Sequence, residues 1–163
     1  MIELDAIISR LIGAGVECVL IGGYAAITHG VSYVTQDVDV CAPLDFENLQ
    51  RIWKALEGTH PRHRDHPKEI PFELERHSGG LNNLYLMTDL GPVDFLGLIP
   101  GIGDYAFARA HSVTARLPFG NIQVLDRATL IRAKMHAGRP RDQLVVGQLR
   151  AIDEALSKNK PES

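Results

Sequence analysis

The sequence predicts an α+β (α/β-like) protein, a mixed β-sheet flanked by helices with further helices at the C-terminus. Three observations predict it. Short apolar strands alternate with amphipathic helices in the first half, two hairpin signals follow, and capped helical patterns close the chain. With 163 residues and a hydrophobic share of 45%, the chain is sized for one domain with a real core. That domain is expected over residues 1–157, followed by a polar tail at 158–163.

Residues 3–14 carry Leu4, Ile7, Ile8, Leu11 and Ile12 at helical spacing, closed by Gly13 and Gly15. Glu17 to Ile21 reads as a buried strand, and Tyr24 to His29 as a brief helix stopped by Gly30. Gln36 to Ala42 is the next strand, ended by Pro43. Asp45 caps a helix bearing Phe46, Leu49, Ile52, Trp53 and Leu56. From Thr59 to Gly80 the texture changes. Four histidines mix with Arg62, Arg64, Lys68 and Arg76 among prolines, which reads as an irregular basic insertion rather than a packed element. Leu84 to Thr88 and Pro92 to Leu98 form a hairpin around Asp89-Leu90-Gly91, and Pro100 to Gly103 a loop. After a short helix capped by Asp104, a second hairpin joins Ser112–Leu117 to Asn121–Leu125. Asp126 caps a helix that Gly138 stops, and a last helix starts at Pro140.

Net charge is −3, so bulk attraction gives no support for a nucleic-acid binder. No apolar run approaches a membrane span, and the N-terminus is acidic, unlike a secretory signal. The two cysteines, Cys18 and Cys41, lack zinc spacing and read as buried thiols. The expectation is a cytoplasmic protein with no membrane association.

The chemistry concentrates at Ile21-Gly22-Gly23 and Thr35-Gln36-Asp37-Val38-Asp39-Val40. On a strand, alternate side chains share a face, so Asp37 and Asp39 project together about 7 Å apart. Aspartate is disfavoured in strands, and two on one face of an apolar strand call for a cation. Hard oxygen donors of this kind suit Mg²⁺, which completes its shell with water and phosphate. The plainer alternative is a solvent-facing edge strand with incidental acids. Asp94 in Val93-Asp94-Phe95-Leu96 adds a lone carboxylate to another apolar strand. If the two strands are neighbours, three carboxylates converge, enough for two ions that clamp a phosphoryl displacement. Asp89 is a weaker third acid, because Asp-Leu-Gly-Pro reads as a turn.

Ile21-Gly22-Gly23, a gap of thirteen residues, Asp37-Val38-Asp39-Val40 and then Asp94 resemble the DNA polymerase β-type nucleotidyltransferase superfamily. The later Leu130 to Lys134 and Gly138 to Asp142 are similar to the C-terminal motifs of its small stand-alone branch, which includes AbiEii-like toxins and minimal nucleotidyltransferases. Arg141 stands where that branch has lysine, and Val145 where a further aspartate often occurs. The resemblance implies the nucleotidyltransferase fold and transfer of a nucleoside monophosphate from an NTP to a hydroxyl acceptor. It implies Asp37, Asp39 and Asp94 as catalytic residues and ligands of two Mg²⁺ ions, with Gly22, Gly23, Thr35 and Lys134 binding the nucleotide. A snorkelling lysine is the plainer role for Lys134. Asp142 could orient Lys134 or Arg139, or serve only the first turn of the last helix. Acceptor classes are tRNA, a protein or a small hydroxylated molecule, and a toxin-like branch implies a cognate antitoxin or partner protein. The alternative is a catalytically weak nucleotide-binding module of a toxin–antitoxin complex. Zinc chemistry at His60, His63 and His66 is a third reading, which prolines 61 and 67 oppose by breaking any helix that would align them. The other readings of that segment are a basic flap that contacts the acceptor or the nucleotide, with Arg62, Arg64 and Lys68 meeting phosphates, and a solvated loop with no task.

Overall fold

A computed structural model describes residues 3–77 and 80–159. Part of the 59–80 insertion (78–79) and of the expected tail (160–163) lies outside the described residues. The chain runs α1 (Leu4–Gly13), β1 (Val19–Ile21), α2 (Gly22–Thr28), β2 (Val38–Cys41), α3 (Phe46–Ala55) and β3 (Arg62–His63). A 3-10 turn at Leu74–Arg76 leads to β4 (Asn83–Thr88), β5 (Gly91–Leu96), β6 (Leu98–Ile99) and β7 (Gly103–Asp104). Then come α4 (Tyr105–Ala110), β8 (Ser112–Leu117), β9 (Gly120–Leu125), α5 (Arg127–Ala137) and α6 (Pro140–Lys158).

Seven strands form one mixed sheet in the order β3-β4-β5-β2-β1-β9-β8. The β2–β5 and β1–β9 pairs are parallel, and the other neighbours are antiparallel. Both expected hairpins form, since their turn residues and alternating patterns act locally. Alternation sends Val38, Val40, Leu84, Leu86, Val93 and Phe95 to a fully buried face. Helix α1 packs on β2, β5 and β9 with Ile7, Ile8 and Leu11 and meets α3. Helix α2, which follows β1 in the chain, packs against α5, which pairs with α6.

The three expected aspartate caps all form. Asp45 accepts from the Asn48 N–H at 2.9 Å, Asp104 from Phe107 at 3.0 Å and Asp126 from Thr129 at 2.8 Å. Gly138 ends α5 in the left-handed conformation, φ 66°. Both cysteines are free and buried, and burial pushes each thiol up to about 12. Among the described residues no helix is long and apolar enough to cross a membrane.

Several boundaries differ from the sequence reading. Strand β2 begins at Val38 rather than Gln36, so Asp37 sits in the bend before it. The cause lies in β1, which ends at Ile21 paired with Asp39 and offers no partner to the residues before it. Strand β5 stops at Leu96; the Gly97 N–H makes one more in-register bond to the Asn82 carbonyl at 2.9 Å, and Leu98–Ile99 then pair with Gly103–Asp104. Helix α6 reaches Lys158, one residue past the expected boundary.

The largest correction concerns residues 59–80. That segment is not merely an irregular insertion, since Arg62–His63 form the edge strand β3 on β4. Its return is held by His63 N–H to Ile70 O and Phe72 N–H to Pro61 O, both at 2.8 Å, and Phe72 is buried. His63 and His77 gather around that ring, 5.9 and 5.5 Å from it, rather than around a zinc position.

Candidate active site

Strand register builds the site. The parallel β2–β5 pair sets Asp39 directly beside Asp94, and β1 sets Ile21 beside Asp39 on the other flank. Tyr85 of β4 faces Asp94 across the antiparallel pair, and the Arg64 N–H bonds the Tyr85 carbonyl at 3.0 Å. One transverse row across the sheet therefore reads Arg64, Tyr85, Asp94, Asp39, Ile21. Directly facing strand residues share a face. Asp37 joins the row from the bend before β2, and carboxylate oxygens of Asp37, Asp39 and Asp94 lie within 4.8 Å of one another.

The double glycine is set by this geometry. Gly22 has φ 69°, and a Cβ there would lie 2.5 Å from Asp39 Oδ2. A Cβ on Gly23 would meet Thr35 Oγ1 at 2.8 Å. Thr35 in turn donates to Asp37 Oδ1 at 3.2 Å, which fixes the first acid of the pair. A side chain at either glycine would push into the residues that hold the carboxylates.

Three acids at this range repel, and the field shows it. Burial first, then the Asp37 and Asp94 charges, push Asp39 up to about 7, with Lys134 and Arg64 pulling the other way. Burial also raises Asp94, although the Arg64 guanidinium bonded to it opposes the rise.

Lys134 enters from α5. Its side chain is 8% exposed and its Nζ lies 3.3 Å from Asp142 Oδ1, whose side chain is 1% exposed. Asp142 also takes Arg139 Nε at 2.7 Å and the Arg139 backbone N–H at 3.2 Å, closing the start of α6. Burial works to raise the Asp142 carboxyl, but Arg139 and Lys134 together hold it below the ordinary carboxylate value. Of the two roles open to Asp142, the structure shows both: it positions Lys134 and Arg139, and it caps the helix. Lys134 does not snorkel to solvent; it is a buried cation close enough to Asp39 to affect its charge.

Gly22, Gly23, Thr35, Asp37, Asp39, Asp94 and Lys134 all line one cleft of about 590 Å³, together with Tyr85, Arg139 and Arg141. No protein-family model matches this chain, and no curated protein does. Solved structures do match in shape. A presumed nucleotidyltransferase (TM1012) from Thermotoga maritima superposes with a TM-score of 0.53 at 18% identity, over 95% of this chain and 91% of that one. The lincosamide antibiotic adenylyltransferase LnuA, in its lincomycin-bound form, superposes with a TM-score of 0.52 at 15% identity, over 83% of this chain and 86% of that one.

This chain has the nucleotidyltransferase fold.

Within the nucleotidyltransferase fold the donor set suits a divalent cation. It offers hard oxygens only, from three carboxylates whose mutual repulsion a cation would relieve. Asp89 takes no part, since it holds His60 Nδ1 at 2.5 Å at the far end of the β4–β5 turn. Val145, where the small branch often has a further acid, is 1% exposed and part of the apolar core. Sequence reasoning missed Tyr85 in the cleft and the contact of Arg64 with a site carboxylate. Tyr85 carries no motif, and its place follows only from the β4–β5 register. Arg64 was read as a loop cation for phosphates, yet its Nη2 bonds both oxygens of Asp94.

Proposed function

We propose that this chain, one domain through the end of α6, is a Mg²⁺-dependent nucleotidyltransferase that moves a nucleoside monophosphate from an NTP to a hydroxyl acceptor. The observation that carries this is the register that places Asp39 against Asp94, with Asp37 alongside, next to the Gly22–Gly23 turn. Asp37 and Asp39 would hold the ion that accompanies the triphosphate, and all three acids a second one. When bound, such a pair stabilises negative charge on the attacking and leaving oxygens.

The chain's own residues would do the rest. Gly22 and Gly23 allow close approach of the triphosphate to the backbone, where their N–H groups face the phosphates. Thr35 holds Asp37 in place. Lys134, oriented by Asp142, sets a positive charge in the cleft against the phosphates. Asp94, raised by its burial, would take the acceptor's hydroxyl proton. The acceptor oxygen then bonds the α-phosphorus as the bond to pyrophosphate breaks, and pyrophosphate leaves with that electron pair.

The net charge of −3 and the likeness in fold to LnuA, a lincosamide adenylyltransferase, favour a small hydroxylated acceptor over tRNA or protein. A toxin-like role with a cognate antitoxin, and a catalytically weak nucleotide-binding module, stand as the alternatives. The test is Asp39→Asn. It should abolish metal-dependent transfer while circular dichroism and the urea midpoint report a folded domain. Unchanged turnover in that variant sinks the proposal.

A further inference from the structure

The Arg64–Asp94 contact lies where the proposed chemistry has no need of an arginine. Nη2 of Arg64 bonds Oδ1 and Oδ2 of Asp94 together. A nitrogen shared by both oxygens sits between them, on the side a chelated cation would take. The Asp94 side chain is 11% exposed, so solvent offers little alternative to that partner, whereas the Arg64 side chain is 37% exposed. Arginine thus reaches in from outside, from the turn residue that follows the two-residue edge strand. Asp37 and Asp39 add to the field that holds its charge.

The placement is anchored to the sheet: Arg64 is the first residue past β3, and its N–H bonds the Tyr85 carbonyl at 3.0 Å, in register with the β3–β4 pair. Arg64 faces Tyr85, which faces Asp94, so the guanidinium spans one strand along the row that carries the triad. Arg62, two residues earlier on β3, turns to Glu69 and Asp89, each at 3.8 Å, and leaves the triad alone. The two arginines therefore carry equal charge on one edge, but only one of them touches the site.

We propose that Arg64 is a built-in competitor for the divalent cation at Asp94: the guanidinium occupies the carboxylate while that position is empty, and withdraws when a cation takes it. The inference rests on the triad being a metal site, as proposed above. Asp37 and Asp39, which have no ion-pair partner among the described residues, can take a cation with Arg64 in place. Full occupancy at Asp94 requires release of Arg64, so the edge strand sets the affinity of one position and not the other.

The experiment is a Mn²⁺ titration of the full chain without nucleotide, followed by the electron paramagnetic resonance of free Mn²⁺. Arg64→Met keeps the side chain's length and removes the competitor. It should bind Mn²⁺ about tenfold more tightly at the weaker position, the scale of a hydrogen bond to a charged group. Arg64→Lys, which retains a competing cation, should restore most of the wild-type weakness. Arg62→Met, which lowers the local charge by the same amount, should leave binding unchanged. Adding Asp94→Asn to Arg64→Met should abolish the gain. Urea midpoints check that each variant is folded. No tightening in Arg64→Met, or equal tightening in Arg62→Met, overturns the competition. Absence of transfer activity in the wild-type chain, with the tightening in Arg64→Met intact, would instead remove the proposed function and leave the competition standing.

Discussion

The tightest coupling between fold and site is at Gly22, and it can be measured as stability. Gly22→Ala meets two penalties. The left-handed backbone at φ 69° costs an L-residue about 1 kcal/mol. The added methyl would also sit 2.5 Å from Asp39 Oδ2 and 3.1 Å from Asp39 Cβ, an overpacking worth about 1–3 kcal/mol. Gly15 supplies the control. Its φ is 67°, yet a Cβ there meets nothing within 4 Å. Gly15→Ala should therefore lose only the backbone part, about 1 kcal/mol, and Gly22→Ala about 2–4 kcal/mol in all. The assay is urea unfolding by circular dichroism at pH 7 in the absence of metal. Combining Gly22→Ala with Asp39→Ala removes the clashing oxygen, so the double mutant should recover about 1–2 kcal/mol of the sum of the singles. A Gly22→Ala midpoint equal to that of Gly15→Ala, with additive energies in the cycle, would refute the close approach on which the site is built.

The Asp39 carboxyl, raised from 3.8 to about 7, resists ionisation in the fold, so its contribution is complete below its unfolded value and lost as pH rises toward 7. Metal-free stability measured by urea titration should fall across pH 4–7, by about 4 kcal/mol at the upper end, and Asp39→Asn should flatten that slope. Mn²⁺ affinity should move the other way, strengthening about tenfold per pH unit below 7 as the competing proton is removed, which calorimetry at several pH values reads directly. Asp142 is shifted in the opposite sense, so its share of stability is present at neutral pH and lost in acid. Asp142→Ala strands the buried Lys134 and uncaps α6, and should cost about 3–5 kcal/mol by urea unfolding, whereas Lys134→Met leaves Asp142 its Arg139 partner and should cost less.

The sequence carried what local rules govern. Three aspartates announced three helix starts because capping needs only the next turn of chain. Asp39 and Asp94 stood out as lone acids in apolar strands, and Gly22–Gly23 as a turn, so the acidic and glycine parts of the cleft could be named before any geometry. What stayed hidden depends on distant pairing. Strand β3 is two residues long and has no period to detect, so its place beside β4, and with it Arg64 on Asp94, follows only from the assembled sheet. Asp37 was placed inside β2, but β1 is too short to pair with it. The apolar run through Leu98 reads as continuous, yet it divides after Gly97 because Leu98–Ile99 pair with Gly103–Asp104 outside the main sheet. The burial of Lys134 followed the same logic, since its partner Asp142 belongs to the next helix.

The central claim is that the carboxylate triad transfers nucleotide, and the direct measurement is label transfer. The purified chain, incubated with Mg²⁺ and each α-³²P-labelled NTP, is offered lincosamide- and aminoglycoside-type acceptors, total tRNA and cell protein in turn. The account predicts label on an acceptor that disappears when Mg²⁺ is chelated and in Asp39→Asn. Absence of any transfer, together with NTP binding that neither Mg²⁺ nor Asp39→Asn alters, would contradict it.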